Sequence, residues 1–371
     1  MPSRFFLFVS AIQVIILLGH LLLYRTTVRF LGISNPSTLG MLKAALIFLS
    51  VTFIASSLLA FRYSNLFTRI YYTFSAAWMG FFYFLFGASI LLWVIYSFQS
   101  VFPVHFNQKA LFLSFYGIAF LTAVYGIVNA DTIRITHVTV KLPGLPGQWK
   151  GKTAAWTSDV HLGQIRGYGE AAAISGMIQK LKPDIIFIGG DLYDGVAANA
   201  DELVRPFSKL RAPYGVFFIT GNHEEFSSAA KAKYVKAVEG AGIRVLNNEV
   251  INIGGLQIAG VDYRDTASRK RFRTILDGMN IDHNRPVILL KHSPLNIGTT
   301  ANAGITLQIS GHTHKGQIFP INFLTAAIYR GFDYGLKSLG KTQVYTSSGA
   351  GTWGPPLRVG TIPEVVEFRL E

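Results

Sequence analysis

Asp159-Val160-His161 and His312-Thr313-His314 are each a pair of metal-binding side chains spaced two residues apart. In extended backbone that spacing puts both members on one side, so each pair can point into a single pocket. Between them come Gly189-Gly190-Asp191-Leu192-Tyr193-Asp194, Gly221-Asn222-His223-Glu224 and Lys291-His292-Ser293-Pro294. Carboxylates, imidazoles and a carboxamide oxygen form a donor set for hard to borderline cations. The chain has no cysteine, which excludes thiolate sites and disulfides. Two dications held about 3.5–4 Å apart repel each other strongly, so a pair needs a carboxylate between them. Asp191 is the candidate for that bridge, and Asn222 offers a neutral oxygen. Glycines beside these residues let the backbone turn sharply and let a phosphate come close. Singly each motif is weak, and an isolated Asp-x-His is more often accidental than functional. The order of the set is what makes it specific.

Each motif follows a short apolar run. Thr153–Ser158, Asp184–Ile188, Val216–Thr220, Leu256–Val261, Val287–Lys291 and Ile305–Ser310 read as buried strands. Helical spacing occurs between them, in Tyr168–Leu181, Ala229–Ala241 and Ser268–Asp277, and Pro183 stops the first. Alternating strands and helices predict an α/β sandwich. Five of the strands then deliver ligands to their C-terminal ends, the edge at which open α/β sheets form sites.

The region before these motifs has a different composition. All 20 acids lie from Asp131 onward, and none precedes it. Four apolar stretches, roughly Phe5–Tyr24, Leu39–Phe61, Tyr71–Phe98 and Ala110–Ala130, are each long enough to cross a hydrocarbon core. Tyr24, Tyr63, Tyr71, Tyr72, Trp93 and Tyr96 sit near their ends, as interfacial aromatics do. A cleaved signal peptide explains the first stretch but not the next three. Residues 1–133 therefore read as a transmembrane anchor of about four helices, in a multi-pass protein of the plasma (inner) membrane. Residues 134–150 read as a linker, with a strand starting near Arg134 and a stiff Leu142-Pro-Gly-Leu-Pro-Gly-Gln148 connector. With the N-terminus inside, Arg4, Arg62, Arg69, Arg134, Lys141 and Lys150 share one side, against Arg25, Arg29, Lys43 and Lys109 on the other. That balance favours a cytoplasmic C-terminal domain. No run of intramembrane acids suggests a transporter. The net charge of +14 comes without a basic stretch interleaved with aromatics, so nucleic acid is not expected as a partner; anionic headgroups or substrates are.

Taken together, Asp-Val-His, Gly-Asp-Leu-Tyr-Asp, Gly-Asn-His-Glu, the lone His292 and Gly-His-Thr-His resemble the calcineurin-like metallophosphoesterase family. The tail Ser347–Arg358 is similar to that of its membrane-anchored bacterial subgroup. The resemblance implies an α-β-β-α phosphoesterase domain over 151–371. It implies that Asp159, His161, Asp191 and His314 hold one metal, and Asp191, Asn222, His292 and His312 a second. It makes His223 the proton donor to the leaving oxygen, with Asp194 orienting it. Manganese, iron or zinc are the metals it implies, and a phosphoester the substrate. With a membrane anchor, a lipid-linked phosphoester is the narrower expectation: a phospholipid, or UDP-2,3-diacylglucosamine, which some relatives of this family cleave. The alternative is a catalytically vestigial membrane scaffold or sensor.

Neighbouring residues have plainer readings. His20, His105, His137 and His283 read as structural or surface residues, and Asp262 as a turn or helix cap. Glu224 and Glu225 read as supports behind the site or helix starters. Gln317 is a candidate to line the pocket, and Trp353, Pro355 and Arg358 to shape a substrate entrance.

Overall fold

A computed structural model describes residues 2–195 and 197–371, without the side chains of residues 2–5, so Arg4, counted above for orientation, lies outside the described side chains. The chain divides into two units. One comprises the residues up to Val128 with Gly354–Leu357, the other Asn129–Trp353 with Arg358–Glu371.

The first unit is built on α1 (Pro2–Leu31), α2 (Pro36–Arg62), α3 (Leu66–Val101) and α4 (Gln108–Ala130). All four are long and apolar enough to cross a membrane. Their starts have local causes. Asn35 caps α2 by accepting from the Thr38 amide, with Pro36 in the first turn, and Asn65 forms a capping box with Thr68 at α3. Each helix extends beyond the apolar stretch read from sequence, because interfacial residues such as Arg25, Arg29 and Arg62 continue it.

Two six-stranded sheets form the second unit. The strands are β1 (Arg134–Val140), β2 (Thr153–Thr157), β3 (Ile185–Ile188), β4 (Val216–Phe218), β5 (Arg244–Val245), β6 (Glu249–Ile253), β7 (Leu256–Gly260), β8 (Val287–Leu290), β9 (Leu307–Ser310), β10 (Gly335–Leu339), β11 (Thr342–Thr346) and β12 (Glu364–Leu370). One sheet runs β1-β12-β2-β3-β4-β5, the other β10-β11-β9-β8-β7-β6. The helices are α5 (Tyr168–Lys180), α6 (Ala200–Val204), α7 (Ser228–Gly240), α8 (Tyr263–Thr266), α9 (Arg269–Gly278), α10 (Ile297–Asn302) and α11 (Ile321–Ile328).

Three apolar layers follow from strands that are apolar on both faces. Trp156, Phe187, Ile219, Ile258, Leu290 and Ile309 pack between the sheets. Ile186 and Ile188 meet Ile174, Ile178 and Tyr234 of α5 and α7 outside the first sheet. Ala259 and Leu289 meet Phe272 and Leu276 of α9 outside the second. The result is the expected α-β-β-α order.

Residues 134–150 are more than a tether. Every residue of β1 pairs with β12, from Arg134 opposite Glu364 to Val140 opposite Leu370. Leu142, Leu145 and Trp149 add side chains to the layer between the sheets, and the Trp149 indole donates to the Ile253 carbonyl at 2.9 Å. The prolines and glycines of the connector fold it back onto the sheets.

Candidate metal centre

Where the parallel strands end, the backbone leaves the sheet with little room. Asp159 and His161 follow β2, Asp191 follows β3, Asn222 and His223 follow β4, His292 follows β8, and His312 and His314 follow β9. Five of these residues hold positive φ: Asp159 at 54°, His161 at 55°, Asp191 at 50°, His312 at 72° and His314 at 48°. Non-glycine residues rarely adopt that conformation, at a cost of about 1–3 kcal/mol each, and such strain concentrates at functional sites. Two glycines make the crossing of loops possible. A Cβ on Gly221 would collide with the Asp191 carboxylate, and one on Gly311 with that of Asp159.

Among the described residues these loops bring the side chains together in three groups able to hold a cation: Asp159 with His161 and His314, Asp191 with His292 and His312, and His161 with Asp194 and His223. His161 Nε2 lies 3.1 Å from His314 Nε2, and Asp159 Oδ1 is 3.7 Å from the latter. Asp191 faces the first two groups through one oxygen, with Oδ2 3.1 Å from His292 Nε2 and 4.0 Å from His161 Nε2. Backbone amides hold both carboxylates. Asp191 Oδ1 accepts from the His223 amide at 2.8 Å, and Asp159 Oδ1 from the His312 amide at 2.9 Å.

Several observations bear on whether cations fit. The His292 ring donates through Nδ1 to the Gly189 carbonyl at 2.8 Å, which turns Nε2 inward with its lone pair. That Nε2, fully buried, lies 3.1 Å from Asp191 Oδ2, and Asn222 Oδ1 makes no hydrogen bond. Buried polar atoms without partners are costly, and a cation is one way to satisfy them. Burial holds His161 and His312 down at about 3, and drives His314 well below its ordinary value, so all three are neutral donors at neutral pH. Burial also disfavours a charged His292, but the Asp191 and Asp159 carboxylates outweigh it and raise the ring to about 9. A cation on Nε2 would take the place of that proton. The donor set fits metal ions.

His223 differs from the other histidines. Its Nδ1 is 3.0 Å from Asp194 Oδ1, so the ring is oriented from behind. Burial works against its charge, yet the Asp194 hydrogen bond and the Asp191 charge raise it to about 9. The ring lies 4.6 Å from that of His161, centroid to centroid, with Phe226 at 5.4 Å and Trp353 at 6.3 Å on its other sides.

The structure also assigns parts that sequence reasoning left vague or missed. Glu224, fully buried, accepts from four backbone amides: Asp191 and Gly221 on Oε2 at 2.9 and 2.7 Å, Leu192 and Tyr193 on Oε1 at 2.9 and 3.2 Å. It therefore clamps the two loops that carry Asp191 and Asn222. Gln317 holds Trp353 by hydrogen bonds to both its amide and its carbonyl. Arg358 is a correction. It is wholly buried and cannot shape an entrance; it donates to the Ser348 and Gly351 carbonyls and lies 3.2 Å from His314 Nδ1. Asp262 caps α8 and pairs with Lys231, as the plain reading has it. Tyr263 and Tyr329 went unnoticed, although their rings stand 5.7 Å from His292 and 6.3 Å from His312. Tyr263 had one signal, its place just beyond the end of β7.

Comparison with known proteins agrees with this geometry. The calcineurin-like phosphoesterase family profile matches residues 153–316. An uncharacterized metallophosphoesterase of Aquifex aeolicus is 33% identical over 255 residues, covering 67% of this chain and 96% of that protein. A Bos taurus transmembrane protein with metallophosphoesterase domain is 32% identical over 269 residues, covering 67% of this chain and 60% of its own length. The uncharacterized metallophosphoesterase YkuE of Bacillus subtilis is 28% identical over 257 residues, covering 64% of this chain and 86% of its own. Fold, clustered ligands and relatives together define a metal-dependent phosphoester hydrolase domain. The chain belongs to the calcineurin-like metallophosphoesterase family, with transmembrane relatives among its members. It spans only about three fifths of the bovine relative and of one from Helicobacter pylori.

Proposed function

We propose that the chain hydrolyses a phosphoester at two cations held at the ends of five strands. Asp159, His161, Asp191 and His314 hold one, and Asp191, Asn222, His292 and His312 the other. The observation that carries this reading is Asp191 Oδ2, which faces His292 Nε2 at 3.1 Å and His161 Nε2 at 4.0 Å and so stands where a bridging carboxylate is needed. Cations held by these residues would supply a Lewis acid for a phosphoryl oxygen and lower the pKa of water. The chain's own residues supply the remainder. His223, held by Asp194 and charged at neutral pH, donates a proton to the leaving oxygen. Phe226 and Trp353 flank that ring and give the leaving group an apolar surface. Manganese, iron and zinc all suit the donors.

The substrate we propose is a lipid-linked phosphoester, either a phospholipid or a nucleotide-activated glycolipid such as UDP-2,3-diacylglucosamine. Four helices able to cross a membrane support that choice. The balance of basic residues around them supports a domain on the cytoplasmic face of the plasma (inner) membrane. The test is metal analysis of the full-length protein with turnover of p-nitrophenyl phosphate, a phospholipid and UDP-2,3-diacylglucosamine, before and after chelation. We expect about two ions per chain, hydrolysis lost on chelation, and preference for a lipid-bearing substrate. Two ions with no turnover of any phosphoester would favour the scaffold or sensor instead.

A further inference from the structure

Helix α11 is built the wrong way round for water. Its sequence, Ile321-Asn-Phe-Leu-Thr-Ala-Ala-Ile328, is almost wholly apolar, yet none of its residues is buried. Phe323 is 66% exposed, Leu324 59% and Ile328 54%, and Phe319 just before the helix is 50% exposed. The polar residues point inward instead. Thr325 Oγ1 bonds the Asn322 carbonyl at 3.0 Å and Asp333 Oδ2 at 3.3 Å, and Asp333 is buried. A surface helix in water carries its apolar residues inside and its polar residues out. This one is reversed.

The charge around it has one sign. Between Asp282 and Glu364 the chain has a single acid, the buried Asp333. Exposed cations lie close by in the chain: Arg330 is two residues past the helix, and Lys337 donates to the Gly331 carbonyl. Lys315 precedes it and sits over the Tyr334 ring at 4.3 Å. An apolar face in a segment that carries cations and no exposed acid is complementary to an anionic lipid surface, where such helices lie in the headgroup and acyl boundary. The chain also carries four helices able to cross a membrane, so a bilayer is present wherever this domain is.

We propose that α11, with Phe319, docks into an anionic phospholipid bilayer. The proposal stands apart from the reaction proposed above, because it uses no metal ligand. Its consequence for the site is direct: Tyr329, the residue after α11, has its ring 6.3 Å from that of His312, so docking sets the mouth of the metal centre at the lipid surface.

The cysteine-free chain makes the test clean. Single variants Phe323→Cys, Leu324→Cys and, on the charged surface of α7, Glu239→Cys are labelled with the fluorophore NBD in full-length protein. Each is reconstituted as one copy per nanodisc, in discs with and without phosphatidylglycerol. We expect labels at 323 and 324 to shift to the blue, to be quenched severalfold more by doxyl lipids than the label at 239, and to lose part of that quenching without the anionic lipid. Water-like emission at 323 and 324 would overturn the proposal. So would a blue shift without quenching by doxyl lipid, which would mean that protein covers the helix.

Discussion

Two buried histidines separate the two units of this molecule. His20, in the helical unit, has both ring nitrogens satisfied: Nδ1 donates to the Ile16 carbonyl at 2.8 Å, and Nε2 accepts from the Trp78 indole at 3.0 Å. His292, in the α/β unit, satisfies Nδ1 on a carbonyl, while its Nε2 meets only the Asp191 carboxylate that it shares with the other group. The same contrast runs through their neighbours. In the helical unit Trp93 donates to Thr26 at 2.9 Å, and Ser89 pairs with Tyr116 at 2.7 Å. These are closed pairs that cancel the cost of polarity in an apolar setting. In the α/β unit Asn222 Oδ1 and His161 Nδ1 are left without partners, and Asp159, His161, Asp191, His312 and His314 hold positive φ. Burial of a histidine says little about function; an inward atom left without a partner says much more.

The sharpest way to break this comparison is to close the open site. Asp191→Asn keeps the shape but removes the charge that both ligand groups face, and puts an NH2 where an acceptor is required. We expect phosphoesterase activity to fall by about 10³-fold or more, with bound metal reduced below two per chain by elemental analysis. Retained metal and turnover would remove Asp191 from the bridging position. His223→Gln should act on turnover alone. It is outside both ligand groups proposed above, so metal content should stay while kcat falls by about 10²–10⁴-fold, the range for loss of a general acid. An unchanged kcat would show that the leaving oxygen takes its proton elsewhere.

Glu224 tests the shell behind the ligands. Burial raises its carboxyl to about 7, with Asp191 adding to the effect, yet all four partners are amide donors that need an acceptor. In Glu224→Gln an NH2 meets amide hydrogens, so we expect a stability loss of about 3 kcal/mol in denaturant unfolding and metal affinity weakened by about 10–100-fold. A variant as stable as the parent would mean that the two loops hold their form without this clamp.

How far the sequence reveals these parts depends on the range of the interactions involved. The clustering of the proposed ligands was legible because each follows a buried strand at once: Asp159 after β2, Asp191 after β3, His292 after β8 and His312 after β9. The membrane-crossing helices were legible for a similar reason, since length and apolarity are local properties. The role of β12 was not. It pairs in parallel with β1 and antiparallel with β2, joining segments more than 200 residues apart, and nothing in Glu364–Leu370 specifies that position. The inward turn of Arg358 was hidden likewise, because its carbonyl partners come from the fold of its own loop and not from spacing. Nor does a pattern such as that of α11 declare which of its faces looks outward.

The smallest expected effect examines the closed side of the comparison. His20→Leu removes the acceptor of the Trp78 indole and the ring that stacks on Phe82 at 4.3 Å. It leaves one buried N–H without a partner, which should cost about 1 kcal/mol in a membrane setting, where polar pairs between helices contribute modestly. Thermal unfolding of the full-length protein in detergent or nanodiscs should therefore shift by only a few degrees. Turnover and metal content should not move, because a histidine with both nitrogens engaged has no lone pair left to offer a cation or a substrate. If His20→Leu instead abolished hydrolysis, the pairs in the helical unit would have to be read as a relay, and hydrogen-bond satisfaction would no longer distinguish packing from chemistry in this chain.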